Sequence, residues 1–145
     1  MAYTIKKVEV WAGDTMNRPG RLARVLEALN EAGAELEFLV ARRVTEKTSR
    51  IFVAPLKGKK QKAAAEEVGL VSVVGMHTIR IEGPNRKGLG SEMSRTLAAA
   101  EINVRSASAA AMGRKTVFYL AFKTEAEAKS AAQVLRRLLR SKNKR

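Results

Sequence analysis

At 145 residues, with 46% hydrophobic and 29% charged residues, the chain has the composition of a folded protein, one ordinary domain or two small ones. It contains no cysteine, which excludes disulfides and thiolate metal sites and is compatible with the cytoplasm. A net charge of +14 speaks to solubility and non-specific partners, not to fold.

Residues 3–12 predict a first strand, because Val8, Val10 and Ala12 alternate with Glu9 and Trp11. Lys6, Lys7 and Glu9 interrupt any apolar run there, so neither a signal peptide nor a membrane span is expected. A polar loop, Gly13 to Asn17, leads to Arg18-Pro19-Gly20. Pro19 suits a first helical position, and Leu22, Val25, Leu26 and Leu29 then recur on one face of a helix over 19–32, stopped at Gly33. Strand two spans Glu35 to Ala41 and strand three Arg50 to Ala54, closed by Pro55. An alanine-rich helix over Lys59 to Val68 and a strand over Leu70 to Val74 follow.

A second unit then begins. Asn85-Arg86-Lys87-Gly88 lies 68 residues after Asn17-Arg18-Pro19-Gly20 and matches three of its four positions. At that offset Val25 meets Met93 and Leu29 meets Leu97. His77 to Glu82 reads as its first strand and Leu89 to Ala100 as its helix. Asn103 to Ala111 and Lys115 to Phe122 form a hairpin across Met112-Gly113-Arg114. Thr124 and Glu127 form a capping box for the last helix. The expected architecture is α+β: two ferredoxin-like βαββαβ units, antiparallel sheets with helices on one face, the second unit lacking its last strand. The expected boundaries are 1–75, 76–139 and a basic disordered tail at 140–145. Arg136 to Arg145 holds six basic residues and no acidic one.

A loop that empties into a helix N-terminus offers backbone N–H groups and partial positive charge to a carboxylate or phosphate. Asp14, Asn17 and Gly20, with Asn85 and Gly88, are the candidates, since an amino acid needs donors for its carboxylate and an acceptor for its ammonium. The bland alternative is that Asn17 and Asn85 shape the turn and cap the helix. Asn103 is a polar residue where a strand starts, with turn and ligand roles equally open. His77 is the only histidine and has no second ligand at metal spacing. No Ser–His–Asp set, P-loop or H-E-x-x-H occurs, which points away from an enzyme.

Two such units, each with a glycine at the strand-to-helix loop, resemble a tandem ACT-domain protein over residues 5–139. The resemblance rests on Asn17-Arg18-Pro19-Gly20-Arg21-Leu22 and on Ala100-Glu101-Ile102-Asn103-Val104; the second unit departs from the usual Pro-Gly with Lys87-Gly88 and Gly90. It implies paired ACT domains with amino acids bound between them, contacted by the strand-one-to-helix loop and the start of strand two. On this sequence the implied contacts are Asp14, Asn17, Arg18, Pro19, Gly20, Asn85, Arg86, Gly88, Leu89 and Asn103. It also implies a regulatory sensor, with an enzyme partner and without cofactor or catalysis.

The rival is a nucleic-acid-binding protein with the same strand order, as in the RNA-recognition motif. Arg114 to Phe122 only loosely matches that motif's strand signature, and Phe118 and Phe122 share a face with Leu120 as core residues do. Nucleic acid is therefore a partner the charge allows but the sequence does not favour. A strand without its neighbour, His77 to Glu82, and the small-residue strand Ser106 to Ala111 point to a homodimer, unless the first domain covers the open edge. Close packing of a second sheet is expected on Ser106 to Ala111.

Overall fold

The computed structural model describes residues 2–143. The elements, in order, are β1 (Thr4–Val8), β2 (Trp11–Met16), α1 (Arg21–Glu31), β3 (Phe38–Arg43), β4 (Thr48–Ala54), α2 (Gly58–Glu67), β5 (Val71–Ser72), β6 (His77–Pro84), α3 (Leu89–Ala99), β7 (Ser106–Met112), β8 (Lys115–Phe122) and α4 (Glu125–Asn143). They form two four-stranded antiparallel sheets, ordered β3-β4-β2-β5 and β1-β6-β8-β7. This is the α+β arrangement expected, with the strand order of two ferredoxin-like units.

The chain divides into two units, and the division is not the sequential one expected. The first unit is Glu9–Val74; the second takes the residues up to Val8 together with those from Gly75 on. The strand expected over 3–12 is two strands in different sheets. Its first part, β1, pairs antiparallel with β6, Thr4 opposite Glu82 and Val8 opposite Thr78. Its second part, β2, lies between β4 and β5. The edge expected to be open on His77–Glu82 is thus closed by the protein's own N-terminal strand. The pairing is pinned at Gly83, where an added Cβ would collide with the Tyr3 ring. The Tyr3 hydroxyl donates to the Pro84 carbonyl at 2.7 Å.

Each core lies between one face of a sheet and its two helices. In the first unit Trp11, Val25, Leu29, Ile51, Val53, Leu56, Ala65 and Leu70 pack together. In the second, Ile79, Ile81, Met93, Leu97, Leu120, Phe122, Leu135 and Leu139 do so, with Ile5 of β1 and Tyr3 just before it against them. The residues matched at an offset of 68, Val25 with Met93 and Leu29 with Leu97, are buried at equivalent places.

Three further expectations change. Pro19 is not helical: Gly20 takes φ +88°, so α1 begins at Arg21. Arg140 to Asn143 is not a disordered tail but the last turn of α4, and Leu139 is buried; Lys144 and Arg145 lie outside the described residues. The Thr124 hydroxyl accepts the Glu127 N–H at 3.1 Å as a capping residue does. Finally, β7 is not covered by a second sheet: it is an edge strand, exposed at every position except Ser108.

Gly83→Val forces the Tyr3 ring out of its seat and loosens β1, costing about 1–3 kcal/mol, as overpacking does. Tyr3→Ala, which removes the same seat from the other side, lowers stability too, and the double variant loses less than the sum of the two. Chemical denaturation of the four proteins checks this; full additivity means the Tyr3–Gly83 contact does not hold β1.

Candidate functional site

The two strand-to-helix loops have the same backbone. In the first unit the Arg21 N–H donates to the Arg18 carbonyl at 3.3 Å across Pro19-Gly20. In the second the Leu89 N–H donates to the Arg86 carbonyl, also at 3.3 Å, across Lys87-Gly88. Gly20 (φ +88°, ψ −12°) and Gly88 (φ +83°, ψ +1°) occupy the third position of a type II turn, which needs φ above zero. Each loop is tied to the neighbouring hairpin by one backbone bond of 2.8 Å, Asn17 N–H to the Lys47 carbonyl and Asn85 N–H to that of Arg114. Neither α1 nor α3 has a side-chain cap on its first turn. Two helix starts are therefore held in the same pose with their N-terminal N–H groups facing the loop.

The side chains on this shared frame differ. Asn17 does not cap α1. Its Nδ2 donates to the Glu46 carbonyl at 3.2 Å, and its Oδ1 accepts the Ser49 hydroxyl at 3.4 Å, so it fastens the loop to the β3–β4 hairpin. Asp14 receives a bidentate guanidinium from Arg50, at 2.7 and 3.1 Å, opposite it across β2 and β4. Hydrogen bonding from Arg50 holds its carboxyl below the usual carboxylate range. Arg18 is exposed and turns back on the Met16 sulfur, as Arg21 does. In the second unit Arg86 pairs with Glu92, in the first turn of α3, at 2.9 and 3.3 Å. The residue equivalent to Glu92 at the 68-residue offset is Arg24. The second loop thus supplies a carboxylate of its own beside its helix start; the first supplies a third arginine.

The expected site residues fall in three places. Asp14, near the end of β2, is followed by Asn17, Arg18, Pro19 and Gly20 on the first loop; Asn85, Arg86 and Gly88 lie on the second loop, and Leu89 opens α3. Leu89 is 2% exposed, a core side chain whose N–H is already bonded. Asn103 lies beyond the far end of α3, roughly 16 Å from Gly88 by the length of an 11-residue helix. It is not brought to the second loop. Sequence reading missed Arg50 and Ser49, which reach the first loop only through strand pairing, and missed the exchange of Glu92 for Arg24, which the repeat offset could have shown.

At the far end of α1 an apolar cleft of about 360 Å³ opens between Leu26, Leu29, Asn30, Ala34, Leu36, Glu37, Phe38 and Leu39. This is the start of strand two of the first unit, with one carboxylate and one amide among apolar walls. Among the described residues no group of three His, Cys, Asp or Glu side chains could hold a metal, and no helix is long and apolar enough to cross a membrane. The β8 aromatics do not make an RNA-stacking platform. Phe118 packs against α3 at Gly90 and Phe122 is fully buried, while the Tyr119 hydroxyl accepts Arg80 Nε at 3.1 Å.

A family model, the ACT domain, matches residues 77–140, within the contiguous part of the second unit. No curated protein matches the sequence. The fold is that of several solved structures. Protein BT0572 from Bacteroides thetaiotaomicron superposes with a TM-score of 0.75 at 14% identity, covering 92% of this chain and 89% of that one. The aspartokinase alpha and beta subunits give 0.63 at 15% identity, covering 94% and 96%. The ligand-free regulatory subunit of aspartate kinase from Thermus thermophilus gives 0.62 at 14% identity, covering 92% and 97%.

Asp14→Asn removes the charge that Arg50 pairs with. Because the Asp14 pKa is lowered on folding, its contribution is present above the unfolded carboxylate pKa and lost as pH falls through the lowered folded value. Wild type therefore exceeds the variant in melting temperature at pH 7, and the gap closes in acid below the ordinary carboxylate range. The pair is exposed, so the gap is small. A gap independent of pH means that Asp14 acts through packing and not through charge.

Proposed function

We propose that the chain is a tandem ACT protein, a non-catalytic sensor in the cytoplasm that binds a small amino acid and regulates an enzyme partner. One observation carries the reading: the same type II turn, tied by the same backbone bond, presents an uncapped helix start in both units. That arrangement suits a carboxylate in water, and the cost of building it twice is the cost of two positive-φ residues. The ACT match over 77–140 and the likeness in fold to a regulatory subunit of aspartate kinase support it. On this reading Asp14, Asn17, Arg18, Pro19 and Gly20 make the first ligand site, with Asn85, Arg86 and Gly88 the second; Asn103, beyond the far end of α3, takes no part in a site built on the second loop.

A thermal-shift screen of the twenty amino acids tests the function. A ligand present at about 100 times its Kd adds about 2.7 kcal/mol and raises the melting temperature by several degrees. Gly20→Val, which the type II turn cannot accept at φ +88°, abolishes that shift if the first loop binds; Gly88→Val does so if the second does. No shift with any amino acid at millimolar concentration sinks the reading.

The sensor acts as a homodimer. Of the edges, β7 is seven residues of Ser, Ala and Met without a charge, a proline or a cover, and an unpaired strand of that kind is a template for another chain. By contrast β3 carries Arg42 and Arg43, and β1 carries Lys6 and Lys7. Light scattering gives twice the 15.9 kDa of one chain, and Ala109→Lys returns it to the monomer. A wild-type monomer at high micromolar concentration excludes the dimer.

A further inference from the structure

The positive charge is not shared between the units. Residues 9–74 hold 11 basic and 9 acidic side chains, a net of +2; the rest of the chain holds 17 and 5, a net of +12. In the first unit the signs are mixed, as they are on an ordinary solvated surface. In the second unit three of the five acidic residues are already in ion pairs: Glu82 with Arg80 and Lys115, Glu92 with Arg86, Glu125 with Lys7. The charge left over concentrates on α4, which carries no acidic residue beyond Glu127.

On that helix Leu135 and Leu139 face the core, while Lys129, Gln133, Arg136, Arg137 and Arg140 are exposed. At 100° per residue Lys129, Gln133, Arg136 and Arg140 fall within one stripe about 60° wide, with Arg137 beside it. The stripe is about 16 Å long at 1.5 Å per residue. Arg136 is steadied by donating to the Ile5 carbonyl of β1 at 3.3 Å, and Glu125 at the foot of the stripe is engaged by Lys7. A row of cations fixed on one helix, three of them arginine, is the chemistry of phosphate recognition: guanidinium binds phosphate oxygens bidentately, and a row about 16 Å long spans several phosphates of a nucleic-acid strand. A membrane surface fits it less well, because interfacial helices carry large apolar side chains among their cations and none of the exposed large hydrophobics is on α4.

We propose that the outer face of α4 is a docking surface for the phosphate backbone of nucleic acid. Recognition is by charge, without base readout, so binding is tight at low salt and falls steeply as salt rises.

Binding of a 20-base-pair DNA duplex and a 20-nucleotide single-stranded RNA by fluorescence anisotropy, between 50 and 200 mM salt, tests this. Lys129→Glu/Arg137→Glu/Arg140→Glu leaves the Arg136 contact intact and alters only exposed residues, so the melting temperature is expected to hold. The triple variant should bind at least tenfold more weakly. The slope of log K against log salt on the duplex should be shallower by about 2.7 for three lost phosphate contacts. Lys57→Glu/Lys59→Glu/Lys60→Glu in the first unit is the control and should change affinity less than twofold. Equal losses from the two triples mean a diffuse charge effect and overturn the assignment to α4. Binding to phosphatidylserine vesicles but to neither nucleic acid overturns the partner. If the glutamate variant melts early, Lys129→Gln/Arg137→Gln/Arg140→Gln replaces it with the same criteria.

Discussion

The pairing of β1 with β6 is the constraint on which the rest depends. A ferredoxin-like sheet needs a strand beside its first one, and the second unit ends on a helix without supplying it. The chain's first strand fills that place, and the whole first unit, Glu9–Val74, is then an insertion between β1 and the sheet it completes. Bringing Thr4 to Glu82 closes a loop of nearly eighty residues. The entropy of that closure grows only with the logarithm of length, and a folded unit within the loop shortens it in effect. What must offset it is local: five paired residues, the Tyr3 ring seated on Gly83, and Ile5 against the second core.

Much of this was legible in the sequence, and the part that was not has a definite cause. The 68-residue repeat placed α1 and α3, their loops and the matching core residues Val25, Met93, Leu29 and Leu97. The missing strand of the second unit was legible too, as was the need for a partner. What could not be read was that the partner was already at hand. Tyr3 and Ile5 face the helices of the second unit, and Trp11 those of the first. All three are odd-numbered, so the alternation runs through Glu9 in unbroken phase. Period two says which face a residue takes but not which sheet it joins. Arg140 to Asn143 was misread for a related reason: charge density suggested disorder, but the capped helix behind it, with Leu135 and Leu139 in the core, carries the last turn along.

The site was legible in its frame and not in its side chains. Positive φ at a loop glycine announces itself in sequence, and Gly20 and Gly88 turn where expected, although Gly13 to Met16, read as loop, continues strand β2. The roles of Asn17 and Asp14 were not readable, because their partners Glu46, Ser49 and Arg50 lie on a hairpin about thirty residues away and arrive by strand register alone. Asn103 was grouped with the second loop by resemblance, and the length of α3 separates them.

The two loops also show how a repeat diverges without disturbing its fold. Gly33 ends α1 in the left-handed conformation at φ +85°, and its counterpart, Glu101, does the same at φ +58°. For a residue with a side chain this costs about 1–2 kcal/mol, so the backbone requirement is kept even where the favourable residue is lost. The exchange of Arg24 for Glu92 is of the other kind, since it leaves the backbone alone and reverses the charge beside the helix start. Arg86 is held by that carboxylate, whereas Arg18 faces only the Met16 sulfur. Beside the second helix start Glu92 engages the Arg86 guanidinium, and the equivalent position in the first unit is the cation Arg24. The shared turn therefore keeps the two helix starts alike in backbone, and one residue on the first turn of each helix reverses the charge beside them.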